Sequence, residues 1–157
     1  GNFIIGFPTE TWSEIRKTID FAQEINVDYA KLFIAIPLRN TEMYDLAERT
    51  NSIIKETYDA DSMWSVGGLI KSKEWTANDL TILRAYEWDR INFSDPKKLK
   101  RIADRMAITV EELNRIRKRT LNNAIKAISS RDDSKESVER AADIALVSKK
   151  DSVSKTN

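Results

Sequence analysis

Apolar positions along the chain fall into two short continuous runs and several helically spaced sets. Residues 3–7 (FIIGF) are apolar and break at Gly and Pro, which predicts a short buried strand. Thr11 and Glu14 then have the spacing of a capping box, ahead of Trp12, Ile15, Ile19, Ala22 and Ile25 at helical intervals. Asn26 is the predicted stop. Residues 29–36 (YAKLFIAI) are again β-prone and nearly continuously apolar, and Pro37 ends that run. Thr41 can cap a further helix through Met43, Tyr44 and Leu46 to about Thr50. Two such strands joined by one amphipathic helix predict a parallel pair with a right-handed crossover. Both strands read as buried on two faces, as in an α/β barrel or a doubly wound sheet. Two strands cannot complete either sheet, so the remaining strands are expected upstream in the same polypeptide.

The rest of the chain reads differently. Around Gly67-Gly68, the apolar residues Met63, Trp64, Val66, Leu69 and Ile70 suit a short strand or a packed loop. Thr76 with Asp79 opens a helix through Leu80, Leu83 and Tyr86 that ends near Asn92. Asp95-Pro96 places an N-cap before a proline at the first helical position. The helix after it carries Leu99, Ile102, Ala103 and Met106 on one face. Thr109 with Glu112 is a second clear capping box, opening a helix with Val110, Leu113, Ile116, Ala124 and Ile128. Beyond Ser129 the chain is rich in Ser, Lys and Asp, with a weak helix expected at 134–147 and a disordered end.

Composition narrows the chemistry. The 157 residues have a net charge of +1, so bulk charge requires neither nucleic acid nor membrane as partner. There is no cysteine and no histidine. This chain therefore forms no disulfide, ligates no zinc or iron–sulfur cluster through Cys, and supplies no His base or Ser-His-Asp triad. No apolar run approaches 18 residues and no signal peptide is visible, so the expected location is cytoplasmic, with no membrane partner.

The candidate chemistry lies in two loops. In parallel α/β folds the loop after a strand's C-terminal end faces the ligand, which places the 6–11 and 37–41 loops on one rim. A glycine at a strand end lets a ligand approach the backbone, because no Cβ intervenes. The plainer reading is an ordinary turn in which Gly and Pro break the strand.

"FIIGFPTET", an amphipathic helix, and then "YAKLFIAIPLRNTEMYDLA" resemble the end of the radical S-adenosylmethionine barrel. Members commonly show I-x-G-F-P-G-E-T at the fifth strand, and an apolar sixth strand followed by P-x-x-G-T-x-x-Y. The stretch "LRAYEWDRINF" (83–93) is similar to sequences after the barrel in the group that carries a cobalamin-binding domain. The resemblance implies an α/β fold: the terminal βαβα part of a (β/α)6 partial barrel followed by an α-helical C-terminal extension. Residues 1–50 would be the end of the barrel and 51–75 a connecting segment. Residues 76–128 would be the helical extension, and 129–157 a weakly helical to disordered tail.

By the same resemblance, the parent enzyme would use S-adenosylmethionine and a [4Fe–4S] cluster held by a cysteine loop outside this chain, with cobalamin as a further cofactor. It would reductively cleave S-adenosylmethionine to start radical chemistry on a substrate that no motif identifies. Ile4 and Gly6 match the fifth-strand adenine contacts, Ala35 and Ile36 stand at the sixth-strand positions, and Glu10 matches a loop-anchoring Glu. Thr9 and Asn40 stand where the family pattern has Gly, and Asn tolerates the left-handed region better than most residues. A barrel cut at this point would expose a strand edge and an apolar face. Residues 1–50 would then self-associate or pack loosely, while the helices, with largely local contacts, would fold.

Other features have competing readings. Residues 97–119 hold nine Lys and Arg in a helix–turn–helix-like pattern. That pattern suits a nucleic-acid-binding module, or simply two packed helices with solvated basic faces. Trp88, Asp89, Arg90 and Asn92 suit either a wall of the substrate site or a packed helix end. Asp59 and Asp61 are too sparse to indicate a metal site.

Overall fold

The computed structural model describes residues 1–54 and 68–129, together with Asp143. The expectations for Asp59, Asp61, Met63, Trp64, Val66 and Gly67, and for the tail beyond Ser129 apart from Asp143, which is helical, lie outside the described residues. The elements run β1 (Asn2–Ile5), α1 (Trp12–Glu24), β2 (Lys31–Ile34), α2 (Glu42–Arg49), α3 (Ala77–Phe93), α4 (Pro96–Arg105) and α5 (Val110–Ser129). The architecture is mixed α/β, mostly helical, around a two-stranded parallel sheet.

Each helix start has a local cause. Thr11 accepts from Glu14 N–H while Glu14 accepts from Thr11 N–H, a closed capping box. Thr76 and Asp79 close the same box on α3, and Thr109 and Glu112 close it ahead of α5. Thr41 caps α2, and Asp95 caps α4 with Pro96 in its first turn. Asn26 and Ala107 adopt positive φ just past α1 and α4, which stops each helix.

β1 and β2 pair in parallel, with Ile4 opposite Phe33 and Ile5 opposite Ile34. Lys31 N–H to Gly1 O and Ala35 N–H to Ile5 O carry the ladder past both ends. Burial alternates along the strands. Ile5 and Leu32 are buried, whereas Ile4 and Phe33 on the opposite face are 49% and 47% exposed. Among the described residues only one face of the pair is buried, and the open apolar face is the one expected of these strands without the rest of their sheet. Ile15, Ile19 and Ala22 of α1 join Ile5 and Leu32 in one core, while the Ile4/Phe33 face is uncovered among the described residues.

α3 opens at the expected Thr76–Asp79 box and ends one residue past Asn92. Twelve of its 17 residues are buried, so it is a central helix. It packs mainly on α5 and α4, so the helices' contacts are largely local as expected, and it also packs on β2 and α1. A second small core joins Phe93 to Ile102, Ala103 and Leu113. Met106 and Val110, expected on apolar helix faces, are instead 43% and 38% exposed. Leu69 and Ile70 belong to a short antiparallel contact, in which Ile53 bridges Ile70 and Ile54 N–H donates to Leu69 O. Among the described residues, no helix is long and apolar enough to cross a membrane.

Candidate functional site at the strand ends

Because β1 and β2 are parallel and in register, the loops that follow them emerge at the same end of the sheet. In the first loop, Gly6 has φ +84°, a conformation that other residues rarely adopt. Its N–H and that of Phe7 donate to Glu10 Oε2 at 2.6 and 3.0 Å. Glu10 N–H returns a bond to Phe7 O at 2.9 Å, so one carboxylate folds the turn back on itself. The loop is also held from outside. The indole N–H of buried Trp75 donates to Glu10 O at 2.8 Å, and Trp12 N–H donates to the Glu74 carboxylate at 2.8 Å. In the second loop Asn40 adopts φ +65°, a conformation that Asn tolerates better than most residues. Thr41 Oγ1–H donates to Leu38 O.

The site residues expected from the sequence take different places. Ile4 lies on the uncovered sheet face beside Phe33. Gly6 is buried, and a Cβ there would overlap Leu80 Cδ1 of α3. Ala35 is buried and uses its N–H to extend the ladder, and Ile36 is half-buried. Phe7 and Leu38, which the motif reading did not single out, are 41% and 43% exposed in the two loops. The strand ends therefore present an open apolar face of Ile4 and Phe33, next to a rigid glycine turn. Such a surface can pack against a flat ring and can reach it with main-chain groups. Across the 6–11 loop lies an open cleft of about 560 Å³, with Thr9, Thr11, Ser52, Lys71 and Lys73 among its lining.

The stretch 83–93 is a fastening region. Glu87, fully buried, accepts from Arg16 of α1 at 2.7 Å and from Arg90 at 2.6 Å, and Arg90 also reaches Gln23. Asn92 donates to Ala30 O and accepts from Ala30 N–H, both at 2.9 Å. Trp88 donates to the Tyr29 hydroxyl and stacks edge-on against Phe93. Asp89 holds Arg117 of α5 through two bonds at 2.7 and 2.8 Å, and this pairing raises the Arg117 pKa. This is the packed reading of Trp88, Asp89, Arg90 and Asn92. Glu87 escaped the sequence reading, although its i,i+3 spacing to Arg90 inside a helix was a visible signal.

The basic cluster at 97–119 is divided by the fold. Lys98 is buried and donates to Asn26 Oδ1 at 3.4 Å, and its pKa is lowered by burial and then by Arg101. Arg105 pairs with Asp28 at the surface, at 3.2 Å, and Arg117 is fixed on Asp89 beneath the Phe93 ring contact. Lys97, Lys100, Arg101, Arg115, Lys118 and Arg119 remain exposed.

No known protein family profile matches the sequence, and no solved structure matches it. An uncharacterised methyltransferase of Pyrococcus horikoshii is 34% identical over 83 residues, which are 53% of this chain and 18% of that protein. The matched segment therefore spans less than a fifth of the relative's length.

Proposed function

We propose that this chain supplies the closing part of a (β/α)6 partial barrel in a radical S-adenosylmethionine enzyme, and that its strand ends form part of the adenine pocket. The observation that carries this reading is the open Ile4/Phe33 face beside the Gly6–Glu10 turn, at the C-terminal ends of two parallel strands. The two strand-end motifs and their order support it. So does the relative, since methyltransferases as a class commonly draw their methyl group from S-adenosylmethionine.

In this reading Ile4 packs on the adenine ring, and the backbone of Gly6, Ala35 and Ile36 borders it. Glu10 keeps the turn rigid, so the wall is in place before the ligand arrives and little ordering is left to binding. The [4Fe–4S] cluster does not fit this chain, which has neither cysteine nor histidine, so its ligands lie elsewhere in the polypeptide. Cluster and S-adenosylmethionine together would supply the radical chemistry. The finer link to the cobalamin group rests on 83–93, where Glu87, Asp89, Arg90 and Asn92 are engaged in packing, and no residue of this chain is assigned to cobalamin.

The test uses the longer polypeptide with its cluster reconstituted anaerobically. We expect 5′-deoxyadenosine on reduction in the presence of S-adenosylmethionine. We also expect Ile4→Glu to raise the Kd for S-adenosylmethionine about tenfold or more, the loss of roughly 1.4 kcal/mol, with an unchanged circular dichroism spectrum. No 5′-deoxyadenosine from a cluster-loaded protein, or full affinity in folded Ile4→Glu, would overturn the reading.

A further inference from the structure

The charges of this chain are unevenly placed. Residues 96–129 carry ten Lys and Arg against three Asp and Glu, whereas the rest of the chain carries 16 against 22. The fold answers few of those ten. Among the described residues, Arg105 pairs with Asp28 and Arg117 with Asp89, while Lys98 is buried against Asn26. The others are exposed, and among the described residues none has a carboxylate partner.

The helical period gathers them. Arg115, Lys118, Arg119, Asn122 and Lys126 of α5 stand at i, i+3, i+4, i+7 and i+11, which is one face of a helix, and all five are exposed. At 1.5 Å per residue the stripe is about 16 Å long. No acidic residue follows Glu112 in this helix. The opposite face is buried through Leu113 and Ala124, and Arg117 is fixed there on Asp89 of α3, so the stripe is held toward solvent. α4 repeats the pattern over a shorter length. Its Lys97, Lys100 and Arg101 are exposed at i, i+3 and i+4, with Asp104 one turn beyond. Like charges four apart repel along a helix, as at Lys97–Arg101 and Arg115–Arg119, so both faces are built against their own electrostatics. An anionic partner would relieve that repulsion.

We propose that the solvent-facing stripe of α5 binds the phosphate backbone of a double-stranded nucleic acid. Duplex phosphates recur about every 3.4 Å along each strand, so a stripe of this length spans four or five of them. Lys97, Lys100 and Arg101 add to the field that draws the polyanion in. Three observations select this partner. The stripe holds no apolar side chain, whereas a helix lying on a membrane has an apolar face to bury in it. α4 and α5 contain no aromatic residue, whereas single strands are held by stacking on aromatic rings. The first turn of α5, where a helix-turn-helix reads base edges, carries Glu111 and Glu112, so the contact is to phosphates and independent of sequence. The inference stands on the charge of α5 and goes beyond the S-adenosylmethionine reading, so either can fail without the other.

The test is fluorescence anisotropy of two labelled DNA duplexes of unrelated sequence, titrated with the full chain in 50–200 mM KCl. Both duplexes should bind equally, with Kd of about 10⁻⁴–10⁻⁶ M at physiological salt. Four phosphate contacts give a slope of log K against log salt of about −3.6, which weakens binding about 10²-fold over that range. Arg115→Ala/Lys118→Ala/Arg119→Ala leaves one contact, so its slope should fall to about −1. Lys17→Ala/Lys31→Ala/Lys71→Ala removes the same charge elsewhere and should keep the wild-type slope. Alanine favours the helix, so the α5 variant should keep its circular dichroism spectrum, and the corresponding triple Gln variant serves if it does not. Vesicles of phosphatidylglycerol and phosphatidylcholine should bind more weakly than the duplexes. Vesicle binding that equals or exceeds duplex binding, selectivity between the duplexes, equal slopes in the two triple variants, or no duplex binding at 50 mM KCl would overturn the proposal.

Discussion

Asn92 does the work of a neighbouring strand with one side chain. Ala30 directly precedes β2, and Lys31 next to it points its N–H toward β1, so the Ala30 backbone groups face the other edge. Asn92 fills both of them from α3, at a buried site. Asn92→Leu would strand a buried donor and a buried acceptor, and we expect it to cost about 2–4 kcal/mol in urea unfolding. A loss below about 1 kcal/mol would mean that water replaces the amide. Glu87 is the other fixed point. Glu87→Ala leaves Arg90 buried without its partner and should cost about 3–5 kcal/mol. Arg16→Ala should cost less, because Arg16 keeps some contact with solvent. Gly6 belongs here too. Gly6→Ala forces a side chain into positive φ and against Leu80, and should lose about 1–3 kcal/mol, part of it recovered in Gly6→Ala/Leu80→Ala. A bulky residue at Gly6 therefore perturbs folding before it reports on any ligand, which is why Ile4 is the better probe of the site.

At the level of elements, the capping boxes carry a pH signature. Glu14 and Glu112 have lowered pKa values, chiefly from the Thr11 and Thr109 backbone N–H groups, then from the Thr hydroxyls. A carboxylate whose folded pKa is depressed stabilises the fold above its unfolded pKa and loses that contribution as pH falls through the folded value. Stability should thus decline as pH drops below the ordinary carboxylate range, and Glu14→Gln and Glu112→Gln should each flatten that decline in unfolding curves taken across acid pH. The same boxes explain what was legible in the sequence. Helix starts depend on residues three apart, so Thr11–Glu14, Thr76–Asp79 and Thr109–Glu112 announce themselves. The Gly6 turn and the strand at FIIGF were legible for similar local reasons. What covers them was not. A continuous apolar run does not say which face finds a neighbour, so the exposed Ile4 and Phe33 read as core. The all-round burial of α3 depends on partners far away in the chain, 71 positions for Arg16–Glu87 and 62 for Ala30–Asn92. No window on the sequence reveals such pairs.

For the whole molecule, α3 decides how the parts hold together. It bonds α1 through Glu87 and Arg90, the start of β2 through Asn92, and α5 through Asp89, so strands and helices share one hub. The helices should therefore not survive the loss of the sheet, and β1, α1, β2 and α3 should unfold together in one transition. Among the described residues this arrangement leaves the Ile4/Phe33 face uncovered, and we propose that adenine packs there. Hydrogen exchange on the cluster-loaded longer polypeptide, with and without S-adenosylmethionine, tests that claim most directly. Exchange in residues 3–7 and 31–38 should slow on binding, with no change in 97–127. Protection confined to other segments, with 3–7 and 31–38 unmoved at saturating ligand, would contradict it.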